Sequence, residues 1–157
     1  MKIEAWFIGK TSPSYLQIGL DDFTGRIKKY VPFETVIIPD IKDAGSYAGR
    51  DRLFKEGEKV LQKLTPQDYL ILLDEGGKEF SSVQFSQFLE KELNKSYKKL
   101  IFLVGGSFGF SPELQQRANF KISLSKMTFS HQMVRLFFLE QIYRGFTILN
   151  NEPYHNA

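Results

Sequence analysis

Residues 100–104 read LIFLV, and residues 69–73 read YLILL. Both segments are short apolar runs that lack the alternation of apolar and polar residues expected for a strand with one exposed face. Strands that are buried on both faces occur mainly in parallel sheets covered by helices on either side. These two segments therefore predict an α/β fold built on a mostly parallel sheet.

Segments with helical periodicity alternate with strand-like runs along the rest of the chain. Further strands are predicted at residues 3–8, 33–38 and 121–124. Helices are predicted by apolar spacing over residues 16–30, 52–64, 85–93 and 131–146, with Ser81 or Ser82 as a cap of the third and Ser111-Pro112-Glu113 starting a further helix. This alternation predicts helices on both faces of the sheet. The polar residues 40–50 predict a loop. The sequence contains no repeat and no linker that would divide it, so we expect a single domain, 1–157.

Composition excludes several classes of protein. The chain has no cysteine and two histidines, so disulfides and a structural zinc site are not expected. No apolar run approaches the ~20 residues of a membrane span, and the start of the chain has no signal-peptide pattern, so we expect a cytoplasmic protein. Lys and Arg outnumber Asp and Glu by 21 to 18, a bias that permits a polyanionic partner without requiring one.

Three predicted strand ends are rich in glycine or small polar residues. They are residues 73–78, LDEGGK; residues 104–110, VGGSFGF; and residues 124–129, LSKMTF. In open parallel sheets, ligands bind outside the carboxyl ends of the strands, and glycine lets the backbone approach a ligand closely. One such loop alone is most simply a tight turn, but three at neighbouring strand ends predict a shared pocket.

The residue types at these loops indicate the kind of ligand. The first strand is not followed by G-x-G-x-x-G, and no G-x-x-x-x-G-K-[ST] sequence occurs, so a phosphate cradle is not supported. Apolar residues and backbone amides favour an adenosine-like ligand without phosphates. Ser107 does not lie in a G-x-S-x-G nucleophile motif. Asp74-Glu75 is most simply a solvated turn, and His131 is most simply a capping or packing residue.

Three segments together resemble a known family. Residues 124–135 read LSKMTFSHQMVR, residues 103–106 read LVGG, and residues 151–155 read NEPYH. They resemble the RlmH family, the SPOUT-class pseudouridine methyltransferases of bacterial large-subunit (23S) ribosomal RNA, over essentially the whole chain. The resemblance implies a C-terminal trefoil knot, which general topology rules disfavour. It also implies a homodimer packed through the knot helices, whereas periodicity alone fits a dimer seam and a central core helix equally well for residues 131–146.

The resemblance also implies a cofactor and its site. In this family S-adenosylmethionine binds in the knotted loops. Carried over by position, its contacts are Leu73, Gly105, Leu124, Ser125, Lys126, Met127, Thr128 and Phe129. No metal is implied.

The implied substrate is the N3 nitrogen of a pseudouridine in the assembled ribosome, and the active site is implied to include the C-terminal tail of the partner subunit. A Tyr-His pair at a chain end is otherwise expected to fray. We expect His155 to accept the imide proton and Tyr154 to stack on or hydrogen-bond to the base. Arg135 and Arg144 are expected either to stabilise charge on the uracil oxygens or to pair with Glu140.

RNA contacts are expected from basic side chains that neutralise phosphates. The candidates are Lys10, Arg26, Lys28, Lys29, Arg50 and Arg52. Many relatives carry a basic residue after the Tyr-His pair, whereas this chain has Asn156-Ala157, so another cation has to supply any contact made there.

Three other functions remain open from the sequence. The chain fits a SPOUT enzyme that acts on transfer RNA or on a ribose hydroxyl. It also fits a non-enzymatic α/β module that binds RNA or a nucleotide. A phosphate-binding Rossmann enzyme is the least supported because its fingerprint is missing.

Overall fold

A computed structural model describes residues 1–41, 49–106 and 108–156. Across these ranges the chain forms five strands, β1 (Lys2–Ile8), β2 (Phe33–Ile38), β3 (Asp68–Glu79), β4 (Lys99–Val104) and β5 (Phe120–Ser123). It also forms five helices, α1 (Ser14–Ile27), α2 (Gly49–Lys63), α3 (Ser82–Leu93), α4 (Pro112–Arg117) and α5 (Met133–Leu149). Most of the predicted loop at 40–50 lies outside the described residues.

The strands form one sheet in the order β2-β1-β4-β3-β5, and every pairing is parallel. The predicted α/β class with a parallel sheet is therefore confirmed. After β4 the chain crosses to the far side of β3 to form the edge strand β5, so the carboxyl ends of β4, β3 and β5 lie side by side. The trefoil knot concerns how the chain threads, which strand order does not establish, and it stays a prediction.

Helices cover both faces of the sheet, as predicted. One face packs against α1, α3 and α5, and the other packs against α2 and α4. The side chains of β4 alternate between these cores, with Leu100 and Phe102 on the first side and Ile101 and Leu103 on the second, all with no exposed surface. This two-sided burial explains why the β4 sequence is apolar throughout.

Local sequence signals place the helix starts. The Ser81 hydroxyl accepts a hydrogen bond from the Gln84 amide (3.1 Å), and the Gln84 side chain accepts one from the Ser81 amide (2.9 Å), a complete capping box. Ser111 likewise caps α4, with Pro112 in its first turn. Ser81 rather than Ser82 is thus the cap of α3, and the predicted start of α4 is confirmed.

The last helix packs in the centre of its layer. It contacts α1 on one side and α3 on the other, and Phe138, Leu139 and Ile142 have no exposed surface. Burial within one chain therefore accounts for much of its apolar character. Met133 and Phe137 remain partly exposed. The helix begins two residues later than predicted because Ser130, whose hydroxyl accepts from the Met133 amide (3.0 Å), organises a turn before it. It ends three residues later than predicted, at Leu149.

Strand β3 is longer than predicted. Leu73 and Lys78 both pair with Ile122 of β5, so residues 74–77 bulge out of the ladder before pairing resumes at Lys78 and Glu79. A Cβ atom on Gly77 would lie 2.6 Å from the Ile122 backbone nitrogen. Only glycine allows the two backbones to approach so closely, and this contact lets the strand resume after the bulge.

The two glycines of this bulge are expected to differ sharply in their tolerance of a methyl group. Gly77→Ala forces the backbones of β3 and β5 apart and should destabilise the protein by about 1–3 kcal/mol, the usual cost of overpacking. Gly76→Ala is the matched control, because its Cβ would have no neighbour nearer than 3.9 Å. Urea unfolding at one protein concentration measures both, and equal midpoints for the two variants would contradict the close approach.

Candidate functional site

A cavity of about 520 Å³ lies at the carboxyl ends of β3, β4 and β5. All three glycine-rich or small-residue loops contribute to its wall, so the fold brings together the strand ends that the sequence singled out. Of the predicted cofactor-binding residues, those that line the cavity are Leu73, Gly105, Leu124, Ser125, Met127, Thr128 and Phe129. Lys126 is exposed and lies outside this lining.

Side-chain hydrogen bonds shape the loop between β5 and α5. The Ser123 hydroxyl donates to the Ser125 carbonyl (3.0 Å), and the Met127 amide donates to the Ser125 hydroxyl (2.9 Å). The Thr128 hydroxyl donates to the Glu75 carboxylate (3.2 Å), which joins this loop to the β3 bulge. Glu75 and His131 both line the cavity. The sequence had indicated a solvated turn for Glu75 and a capping or packing role for His131, although Glu75 belongs to one of the three loops predicted to form a pocket.

The loop after β4 approaches the cavity through its backbone. A Cβ atom on Gly105 would lie 2.9 Å from the Phe110 ring, so the ring packs directly against the main chain. A Cβ atom on Gly106, in contrast, would have no neighbour within 4 Å. Both glycines line the cavity. Its wall on this side is therefore mainly peptide backbone, which can both donate and accept hydrogen bonds.

Arg135 lies away from the cavity lining, which differs from the expectation of a charge facing the substrate. Its guanidinium donates to the Ile8 carbonyl (2.7 Å), the Gly9 carbonyl (2.9 Å) and the Thr11 hydroxyl (3.0 Å). The group lies 4.9 Å from the centre of the Phe7 ring and has no exposed surface. Burial lowers the pKa of Arg135 to about 10. To reach a bound base, this side chain would have to give up all of these partners.

The C-terminal tail folds back on α5. Asn151 adopts a left-handed conformation with φ of 56°, its amide donates to the Ile148 carbonyl (3.1 Å), and the Glu152 amide donates to the Thr147 carbonyl (2.9 Å). This is a Schellman motif, in which asparagine can replace the usual glycine. The Asn-Asn-Glu-Pro sequence at 150–153 is the signal that could have predicted a defined turn here instead of a frayed end.

Four side chains form a cluster that we call the tail clamp: Glu140 and Arg144 of α5, and Tyr154 and His155, which follow this turn. One Glu140 oxygen accepts hydrogen bonds from the Tyr154 hydroxyl (2.9 Å) and the Arg144 guanidinium. A second guanidinium nitrogen lies 3.1 Å from His155 Nδ1, and the guanidinium lies 4.8 Å from the centre of the Tyr154 ring. Burial and the bond to Glu140 raise the pKa of Tyr154, so its hydroxyl keeps its proton at neutral pH. Arg144, and not Arg135, is thus the arginine that pairs with Glu140.

The cavity and the tail clamp lie at different positions along α5. Val134 lines the cavity, and Arg144 of the clamp follows ten residues later in the same helix. At the rise of an α-helix, ten residues span about 15 Å. Tyr154 and His155, which contact Glu140 and Arg144, are not among the described residues that line the cavity of the same chain.

The basic residues expected to contact RNA differ in their surroundings. Lys10, Lys28, Lys29 and Arg50 are exposed. Two others are partly buried and paired with acids on their own helices, Arg26 with Asp22 (3.1 Å) and Arg52 with Glu56 (3.3 Å).

Two further searches covered the part of the chain that the structure describes. In it, no group of three or more His, Asp or Glu side chains is placed to hold a metal ion. No helix in the same ranges has the length and apolar character needed to cross a membrane.

Comparison with known proteins agrees with this architecture. A family model described as "Predicted SPOUT methyltransferase" matches residues 1–155. A protein of Parabacteroides distasonis named "Ribosomal RNA large subunit methyltransferase H" is 53% identical, and one of the same name from Flavobacterium johnsoniae is 54% identical, each over 99% of both chains. The structure of a probable methylase family protein from Haemophilus influenzae superposes with a TM-score of 0.54 at 15% identity, over 95% of this chain and 66% of that one, which supports the fold alone. The match over nearly the full length confirms the resemblance seen in the sequence, and the chain belongs to the SPOUT methyltransferase family.

Proposed function

We propose that this protein transfers a methyl group from S-adenosylmethionine to the N3 nitrogen of a pseudouridine in large-subunit (23S) ribosomal RNA, in the assembled ribosome and in the cytoplasm. The observation that carries the proposal is the cavity at three adjoining strand ends, in a chain whose close relatives bear the name of a ribosomal RNA large subunit methyltransferase. The choice of pseudouridine N3 rests on the resemblance of residues 124–135 and 151–155 to the RlmH family.

The cavity fits a nucleoside-sized cofactor. Its volume of about 520 Å³ falls within the range of roughly 300–1,000 Å³ that is usual for small-molecule sites. Leu73, Leu124 and Met127 supply apolar wall, and the backbone at Gly105 supplies hydrogen-bonding groups. These residues, with the rest of 124–129, would hold S-adenosylmethionine. When bound, the cofactor supplies an electrophilic methyl group.

Because the methyl group is already reactive, the protein's main task is to align the donor with the acceptor nitrogen and to exclude water. Tyr154 and His155 are the residues that we assign to the base. Tyr154 offers a ring for stacking and a protonated hydroxyl, and His155 offers an imidazole beside it. Arg135 is a positioning residue in this scheme, since it holds the start of α5 next to the cavity.

A homodimer would unite the two halves of the site. Arg144 of the tail clamp lies about 15 Å along α5 from Val134, and neither Tyr154 nor His155 is among the described residues that line the cavity, so in this proposal a second copy brings its own tail to that cavity. Exposed apolar side chains lie around the cavity and on the adjoining helix α1, a pattern typical of an interface: Tyr15, Ile18, Met127, Phe129, Met133 and Phe137. Helices α1 and α5 are in direct contact, since Leu136 packs against Gly19.

RNA binding is assigned to exposed cations. Lys10, Lys28, Lys29 and Arg50 are exposed, and among the described residues none of them forms an ion pair like those of Arg26 and Arg52. Such residues would contact phosphates without reading sequence. Selection of a single nucleotide would then come from the shape of the assembled ribosome.

The substrate is tested with purified protein, labelled S-adenosylmethionine and three acceptors: intact ribosomes, naked ribosomal RNA and transfer RNA. We expect label only in the large-subunit RNA of intact ribosomes, and mass spectrometry of the digested RNA should locate it on a pseudouridine base. Label in transfer RNA or on a ribose would replace the proposal with another SPOUT activity. Absence of both transfer and cofactor binding would favour a non-enzymatic module.

His155→Ala is expected to lower the rate of methyl transfer by about 100-fold, within the range found when a side chain that assists proton transfer or donates to a developing charge is removed. Cofactor affinity measured by calorimetry should be unchanged, because His155 is assigned to the base and not to the cofactor. The neighbouring variant Asn156→Ala, an exposed residue, is the matched control and should keep wild-type turnover. Normal turnover in His155→Ala would remove this residue from the site.

Subunit complementation tests the shared site. Gly106→Trp places a large side chain at the cavity wall, where a Cβ atom has open space, so cofactor binding should be lost while the fold is kept. Each homodimer, Gly106→Trp or His155→Ala, should be nearly inactive. The heterodimer should recover about half of the wild-type activity, since one of its two symmetric sites combines an intact cavity with an intact tail. An inactive heterodimer would mean that each chain completes its own site.

A further inference from the structure

The contact between Arg144 and His155 determines which imidazole nitrogen carries hydrogen. The Arg144 Nη1 atom lies 3.1 Å from His155 Nδ1. A guanidinium has only N–H donors and no acceptor, so in this hydrogen bond Nδ1 has to accept. A neutral imidazole has one N–H group, and here that group is Nε2–H.

We propose that Glu140 and Arg144 are positioning residues that hold His155 in the Nε2–H tautomer, so that His155 donates a hydrogen bond to a uracil oxygen beside the target nitrogen. This role rests on the proposed function, and it differs from the sequence-based expectation that His155 accepts the imide proton. The tautomer itself follows from the geometry of the tail clamp alone.

The clamp holds the Arg144 guanidinium from several sides. Glu140 Oε1 accepts from Arg144 and from the Tyr154 hydroxyl, and Glu140 Oε2 accepts from the Gln141 side chain (3.1 Å). The guanidinium also lies over the Tyr154 ring, and Tyr154 in turn packs edge-on against Tyr143, with ring centres 4.7 Å apart. Arg144 and Glu140 are mostly buried, with 24% and 20% of their side chains exposed. The direction of the N–H group that faces His155 is therefore set before any substrate binds.

Acceptance of a proton by His155 conflicts with this contact. For Nε2 of the neutral imidazole to accept a proton, the ring hydrogen has to be on Nδ1. That hydrogen would then point at the Arg144 N–H group, so two donors would face each other. The imidazole would have to leave Arg144 first. In the Nε2–H form the contact is kept, and the hydrogen at Nε2 is available to a substrate.

The chemistry of the base favours a donor at this position. As N3 gains the methyl group it loses its proton, and the two flanking carbonyl oxygens carry negative charge while this happens. A donor already aimed at such an oxygen stabilises the transition state more than the ground state. The N3 proton passes to water. Its positive charge balances the charge that the methyl donor loses when it gives up the methyl group, so the base is neutral before and after the reaction.

The tautomer can be measured directly by nitrogen NMR of the full-length protein labelled at histidine. The chain has two histidines, and the signals missing from His155→Ala identify those of His155. In the neutral imidazole of His155, we expect a protonated Nε2 and an unprotonated Nδ1. Arg144→Met and Glu140→Gln should both shift it toward a mixture of tautomers. A protonated Nδ1 in the wild-type protein, or an unchanged tautomer in Arg144→Met, would overturn the proposal.

Arg26→Met is the matched control for this spectrum. Arg26 also pairs with an acid of its own helix, and its guanidinium lies 5.4 Å from the centre of the Tyr143 ring, which neighbours Tyr154. Among the described contacts, no hydrogen bond joins Arg26 to His155. Its replacement should leave the His155 signals unchanged.

A kinetic measurement tests the catalytic consequence. Arg144→Met should lower kcat about tenfold with unchanged cofactor affinity. Arg144→Lys restores a donor, so it should recover part of kcat and part of the fraction of His155 in the Nε2–H form. A shifted tautomer with normal kcat would overturn the role in transfer. If the wild-type protein methylates no ribosomal RNA, the proposed function fails, and the NMR spectrum still decides whether the clamp sets the tautomer.

Discussion

A buried guanidinium joins the last helix to the first strand, and both halves of the proposed site depend on it. Arg135 of α5 donates to the carbonyls of Ile8, the last residue of β1, and of Gly9, which follows it. A buried charge is costly unless it is hydrogen-bonded, and here the guanidinium donates to these two carbonyls and to the Thr11 hydroxyl. Gln132 extends the connection by accepting from the Ser12 amide and donating to the Lys10 carbonyl. The start of α5 is thereby held at the carboxyl edge of the sheet.

The position of β5 creates the cavity. Because the chain crosses from β4 past β3 to the sheet edge, three loops that are far apart in sequence meet at one end of the sheet. The wall combines apolar side chains such as Leu73 and Met127 with the backbone at Gly105, against which the Phe110 ring packs directly. The side chains of Glu75 and His131 add polar groups to the same wall.

Helix α5 connects this cavity to the tail residues that we propose for the site. Its buried face, centred on Phe138 and Ile142, packs between α1 and α3, so its position is determined by the core. Val134 near its start faces the cavity, and Glu140 and Arg144 further along hold the tail that Asn151 turns back. A buried core helix thus holds a chain terminus that would otherwise be expected to fray, and the described tail residues are not part of the cavity lining of the same chain.

The sequence by itself determined the features that depend on neighbouring residues. The apolar runs of β3 and β4, the caps at Ser81 and Ser111, and the small-residue loops after the strands all follow from local propensity and burial pattern. Only the tertiary structure decided that Arg135 anchors β1, from 126 residues away, that β3 resumes after its bulge, and that Arg144 meets His155. Each of these contacts joins groups that are brought together only when the chain reverses or crosses the sheet. A local sequence pattern does not encode the distances between such groups, so it cannot predict which of them form hydrogen bonds.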